Sequence, residues 1–205
     1  MNWVRKGRRT GPNRRPSIAP IVPIRRPDPF DDPAWPFELK LDGLRELADT
    51  INGRMLSKNL NPLKRFQHLL DSLPFDCFFD GEICVLDSDG RPEFNDLLFG
   101  RGDPVYVVFD LLFYEREDIR SLPLKERRAI LDQVAARYRI QKSEVFLGCG
   151  KSLFETVCAM DLEGVVCKRP EDHYGSDVRW WKVPNRDYSQ KQGRHELFQR
   201  RTGTR

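Results

Sequence analysis

From Phe37 onward apolar and charged residues alternate, with Phe37, Leu39 and Leu41 set against Glu38, Lys40 and Asp42. A period of two sorts these sets onto opposite faces of a strand, so the run predicts a half-buried strand. Further apolar runs predict strands near residues 54–57, 77–86 and 104–112. Helical patterns span 62–72 and 124–138, the second opened by Pro123, whose ring presets φ for a helix start. Short strands at 145–148 and 164–168 flank a helix at 151–160, and a last strand is expected at 178–183. Strands outnumber helices and mostly follow one another without βαβ alternation, which predicts an α+β fold built on antiparallel sheet.

Before Phe37 the pattern is different. Eight of the 15 prolines lie in residues 1–36, together with the pairs Arg8-Arg9, Arg14-Arg15 and Arg25-Arg26. No periodic element is expected there, and residues 1–30 read as an extended, disordered arm. The expected domain covers 31–190, with a basic tail at 191–205.

Charge sharpens this division. The net charge is +4, but residues 1–26 hold +8 with no acid and residues 186–205 hold +4, which leaves −8 on the body. Basic arms on an acidic body suit a polyanion partner, because each neutralised phosphate releases counterions; a solvated tail is the alternative. At 205 residues, 39% hydrophobic and 32% charged, the chain fits one soluble domain. The stretch Val105 to Phe113 is broken by Asp110 and falls short of the ~18 to 20 apolar residues of a membrane span. Ile18 to Ile24 is too short and proline-broken for a signal sequence. The five cysteines form no C-x-x-C pair, and His68, His173 and His195 are far apart. A disulfide framework and a Cys/His zinc site are thereby disfavoured, and a cytoplasmic location is expected.

Candidate chemistry begins on the first strand. Lys40 between Glu38 and Asp42, with Gly43 following, reads either as a charge ladder in water or as an amine nucleophile with carboxylates for a metal and a glycine admitting a ligand to the backbone. Asp80 and Glu82 share a strand face, and Phe109 lies in an apolar run where core packing and ligand stacking are both open readings.

Taken in order, Glu38-Leu39-Lys40-Leu41-Asp42-Gly43-Leu44-Arg45, Ser57-Lys58-Asn59, Asp80-Gly81-Glu82, Phe109-Asp110-Leu111-Leu112, Glu163-Gly164-Val165-Val166-Cys167-Lys168 and Trp180-Trp181-Lys182 resemble the nucleotidyltransferase motifs of ATP-dependent DNA ligases. Phe94-Asn95-Asp96-Leu97-Leu98 and Asn185-Arg186-Asp187-Tyr188-Ser189-Gln190 extend the likeness, which covers about 27–198 and is nearest the small bacterial ligases of the family. The resemblance implies an ATP-grasp-like adenylation domain that uses ATP and Mg²⁺ to form a lysyl-AMP on Lys40 and seals nicks in duplex DNA during repair or recombination, in the bacterial cytoplasm at the nucleoid. It implies catalytic roles for Lys40, Asp42 and Lys182, with Lys182 as the cation on the α-phosphate. It places Glu38 at the adenine, Arg45 and Glu82 at the ribose, Phe109 on the adenine ring and Lys168 among the nucleotide-binding groups. Glu163 and Asp80 are the implied metal-side carboxylates. These roles suit in-line displacement at phosphorus, where catalysis is mainly positioning and charge cancellation.

Two departures from the family pattern stand out. Its last motif carries a second lysine two residues after the first, where this chain has Pro184. Family ligases also continue into an OB-fold of ~100 residues, so an OB-fold protein acting in trans is an expected partner, and the +8 arm is expected to grip duplex backbone in its place. Other readings are an RNA ligase or GTP-using capping enzyme, or a non-catalytic or split module that binds nucleotide or DNA.

Overall fold

A computed structural model describes residues 18–191. Among them, ten strands form two five-stranded sheets. The first contains β1 (Ile24–Arg25), β2 (Pro36–Leu39), β8 (Phe146–Leu147), β9 (Gly164–Cys167) and β10 (Trp181–Pro184), in the order β1-β10-β9-β2-β8. The second contains β3 (Leu44–Asp49), β4 (Arg54–Ser57), β5 (Phe78–Val85), β6 (Pro104–Tyr114) and β7 (Glu117–Asp118), in the order β4-β3-β5-β6-β7. Every named strand pair is antiparallel except β1 with β10. The α+β, antiparallel expectation is what the chain adopts.

Side-chain alternation builds three apolar layers around these sheets. The outer face of the second sheet, with Ala48, Met55, Phe79 and Ile83, packs on α2 (Leu124–Tyr138) and on Phe66 of a 3-10 helix at Lys64–Ser72. The outer face of the first sheet, with Phe37, Val165, Cys167 and Val183, packs on Leu153 and Val157 of α3 (Gly150–Ala159). Between the sheets Leu47, Phe78 and Leu112 meet Tyr174, Val178 and Trp180. Among the described residues no helix is long and apolar enough to cross a membrane.

The expected strand through Asp42 ends at Leu39, and Lys40 to Gly43 instead carry the chain from the first sheet to the second. β3 and the short helix α1 (Phe94–Phe99) were not expected from the pattern. The segment expected to be a disordered arm is, from Ile18 onward, a packed strap. Ile18 and Ile21 are buried in the inter-sheet cluster, and β1 extends the edge of the first sheet. Two apolar side chains in a proline-broken stretch are enough to anchor it, because burial needs no periodicity. The rest of that arm, residues 1–17, and all but Lys191 of the basic tail lie outside the described residues.

On β3, Glu46 faces the outer layer beside Leu44 and Ala48, is 3% exposed, and has one carboxyl oxygen without a hydrogen-bond partner among the described residues. Burial pushes its pKa up from 4.5 to about 8. An acid whose folded value is raised contributes stability below its unfolded value and loses it as pH rises through the folded one. Wild-type thermal stability should therefore fall between pH 4.5 and about 8, and Glu46→Gln should flatten that fall in a calorimetric pH series. Ile21→Ala should lower unfolding free energy by about 2–4 kcal/mol in denaturant titration, as expected for truncating a buried aliphatic side chain; no change would mean that the strap does not pack.

Candidate active site

Backbone contacts place Lys40 at the sheet crossing. Its N–H donates to the Gly164 carbonyl at 2.9 Å, and three residues on, Gly43 is pressed against β5 so closely that a Cβ would lie 2.2 Å from the Ile83 carbonyl oxygen. Gly164 itself has φ +147 and lies under β10, where a Cβ would come within 2.4 Å of the Val183 oxygen; only glycine fits either place. The Lys40 ammonium is thus brought 2.6 Å from Glu163 Oε2, with both side chains partly open to solvent at 26% and 19%.

Strand register lays out the rest of the wall. Lys182 pairs with Val166, and Val166 pairs with Glu38, so these three share the face that looks toward the second sheet. Glu38 is buried, and its carboxylate accepts from Lys168 Nζ at 2.8 Å and from Ser143 Oγ at 2.7 Å. Arg128 of α2 donates to Ser143 and to the Phe109 carbonyl, bracing this corner. Lys168 also lies 4.7 Å from the Phe109 ring centroid and 4.4 Å from that of Trp180. Burial holds its pKa down while Glu38 opposes the shift.

Across the cleft, Arg45 of β3 stands opposite Glu82 of β5. Burial works against the Arg45 charge, but Asp80 more than offsets it and holds the guanidinium above its ordinary pKa. That pair is bidentate, at 3.0 and 2.6 Å, and Tyr174 donates to the same carboxylate at 2.6 Å. Glu82 has its pKa raised to about 8, chiefly by burial and also by Glu163 and Asp80, against the pull of Lys40 and Arg45. Asp42 is buried and accepts from Tyr188 at 2.7 Å.

The cleft therefore gathers Glu38, Lys40, Arg45, Glu82, Phe109, Glu163, Lys168 and Lys182 around one space. Two expectations change. Asp42 does not continue a common strand face with Glu38 and Lys40, because the chain switches sheets between them. Asp80, expected beside a metal, is 0% exposed with both oxygens engaged by Arg45 and Tyr174; an ion that binds by shedding water has no route to it, and its place is to hold Arg45. Residues that the sequence reading did not single out also build the site. Ser143, Arg128 and Tyr174 lie in loops or on a helix with no pattern that marks them, whereas Tyr188 sat inside a stretch already noted for its likeness. The Ile21 carbonyl, which accepts from Arg45 at 2.5 Å, is a backbone group and leaves no trace in side-chain pattern.

Known proteins are similar to this chain in sequence and fold. The family model described as ATP dependent DNA ligase domain matches residues 28–183. The multifunctional non-homologous end joining protein LigD of Pseudomonas aeruginosa is 36% identical over 157 residues, covering 69% of this chain and 19% of that protein. The SPbeta prophage-derived DNA ligase-like protein LigB of Bacillus subtilis is 27% identical over 191 residues, covering 84% of this chain and 69% of that one. The chain thus spans about a fifth of the Pseudomonas relative. Among solved structures, the ligase domain of M. tuberculosis LigD superposes with a TM-score of 0.71 at 27% identity, over 80% of this chain and 58% of that one. A mycobacterial DNA ligase D complexed with ATP and MES gives 0.70 at 25% identity, over 82% and 60%.

Asp80→Asn keeps the shape but removes the charge opposite Arg45. Leaving one partner of a buried pair uncompensated typically costs about 3–5 kcal/mol, so guanidinium unfolding should show a loss of that size, while Tyr174→Phe should lose less, about 1.5–3 kcal/mol for a single hydrogen bond to a charged group. An Asp80→Asn variant as stable as wild type would return Asp80 to the list of candidate ligands for a metal.

Proposed function

Because the chain belongs to the ATP-dependent DNA ligase domain family, we propose that its cleft transfers AMP from ATP to Lys40 Nζ and then to the 5′-phosphate of a DNA nick, where a 3′-hydroxyl displaces AMP and seals the strand. The observation that carries this reading is the 2.6 Å contact between Lys40 and Glu163, with both side chains partly open to solvent. The lysine amine attacks only without its extra proton, and Glu163 is placed to accept it. A bond forms between Nζ and the α-phosphorus as the bond to the β-phosphate oxygen breaks, and pyrophosphate leaves with that electron pair. Lys182, on the same face as Glu38, supplies positive charge to the α-phosphate oxygens.

Adenine recognition falls to the inner end of the cleft. Phe109 and Val166, one from each sheet and both partly buried at the edge of the inter-sheet cluster, offer apolar surface to the two faces of a planar base. Glu38, fixed by Lys168 and Ser143, presents carboxylate oxygen in the same region, and Arg45 with Glu82 stand where a ribose would hydrogen-bond. Asp42, held by Tyr188, lies in the crossing segment two residues after Lys40.

The donor set also fits Mg²⁺. Among the described residues no group of three or more His, Cys, Asp or Glu forms a metal cage. Mg²⁺ bound to nucleotides needs none, taking one or two carboxylates with phosphate oxygens and water. Glu163 is the residue that would hold it, with Glu82 electrostatically coupled to it; when bound, the ion neutralises charge on the phosphates.

Intact-protein mass after incubation with ATP and Mg²⁺ is the test. Wild type should gain one AMP and Lys40→Ala none, and a nicked duplex should then be sealed. If neither protein gains AMP and nicked DNA stays unsealed as well, the catalytic reading sinks and a binding module is left.

A further inference from the structure

Resting on that reading of the cleft, we propose that Arg25 of the N-terminal strap forms, with Lys182, a two-cation site for phosphate oxygens at the outer edge of the first sheet. β1 runs parallel to β10, with Ile24 N–H donating to the Trp180 carbonyl and Arg26 N–H to the Lys182 carbonyl, each at 2.9 Å. These bonds bracket Arg25 and set it beside Lys182. The register continues from Lys182 to Val166 to Glu38, so Arg25 stands at the end of a row that looks into the cleft. Its neighbour confirms the alternation, since the Arg26 guanidinium lies on the opposite face, 4.3 Å from the Phe30 ring centroid and 4.5 Å from that of Trp181.

Three features point to an anionic ligand. Arg25 and Lys182 are like charges on adjacent strands, an arrangement that is destabilising without an anion between them. Among the described residues neither has a carboxylate partner, whereas Arg45, Arg54, Arg101, Arg116, Arg120 and Arg127 each do. Next along β10 on the same face comes Pro184, paired with Gly164, so the strand itself brings no second cation. A guanidinium from the neighbouring strand restores one, with a planar fork that binds two phosphate oxygens at once.

The phosphate could come from the nucleotide or from the DNA strand, and two measurements on the full chain separate the sources. One is the ATP concentration for half-maximal formation of the Lys40 adduct; the other is affinity for a nicked duplex across a salt series, which needs no adduct. Arg25→Ala should weaken one of them about tenfold, the scale of losing charge-assisted hydrogen bonds, with Arg25→Lys recovering part of the loss. A change confined to ATP identifies the triphosphate. A change confined to the duplex, with a salt slope smaller by about one contact, identifies backbone phosphate. Arg91→Ala, which removes a charge from an exposed residue elsewhere, controls for net charge, and Arg25→Met keeps the aliphatic stem if truncation loosens the strap. If both Arg25 variants match wild type in both measurements, the proposal is wrong. Failure of wild type to form the adduct would count against the cleft reading instead, and duplex affinity would still decide Arg25.

Discussion

Four residues, Lys40 to Gly43, carry the chain from one sheet to the other, and the geometry of the cleft depends on how closely that crossing is held. At one end Lys40 N–H is bonded to Gly164, over which β10 passes too closely for any side chain; at the other Gly43 lies against the β5 backbone. Lys40 is therefore positioned by the backbones of both sheets, and its flexible side chain has only to span from a fixed Cα to Glu163. A shift of either sheet relative to the other would move the proposed nucleophile, and the inter-sheet cluster of Leu47, Phe78, Leu112, Tyr174 and Trp180 resists that shift.

Buried ion pairs complete the frame. Glu38 with Lys168, Asp80 with Arg45 and Asp110 with Arg127 each join different segments of chain. Such pairs add little net stability, because desolvation consumes most of their attraction, but breaking one is costly. Their effect is to single out one arrangement of strands and helix. Arg127 shows this most clearly: with no exposed surface it clamps α2 to β6 at 2.8 Å through Nε and Nη2, and the next residue, Arg128, then reaches Ser143 behind Glu38. The groups left partly open, Lys40, Glu163, Glu82 and Lys182, are the ones that the proposed chemistry uses.

Much of this was legible in the sequence, for identifiable reasons. β5, β6, β9, α2 and α3 carry apolar runs with few interruptions or regular helical spacing, and their positions agree with the expected ones to within a few residues. Most residues that the structure gathers at the cleft were named from the sequence because six motifs occur in order. β3 was hidden because it buries Glu46 among apolar neighbours, which breaks the alternation a strand reading relies on. The roles of Asp42 and Asp80 were not legible, since whether a carboxylate faces a metal, an arginine or a tyrosine depends on partners 35 to 146 positions away. β1 was hidden by the prolines around it.

The strap shows how weak pairing can still define a position. Two strand residues at a sheet edge are marginal on their own, so the place of β1 is set by what lies on either side of it. Upstream, Ile18 and Ile21 are buried, and the Ile21 carbonyl holds Arg45. Downstream, Arg26 is sandwiched against Phe30 and Trp181, and Phe30 packs edge-on against Trp35 and Phe37. Arg25 is thus fixed between two anchors that reach opposite layers of the fold. The same segment reaches Arg45 through the Ile21 carbonyl and stands beside Lys182 through Arg25, so an anion bound at the proposed edge site and a nucleotide bound at Arg45 would both touch one continuous piece of backbone.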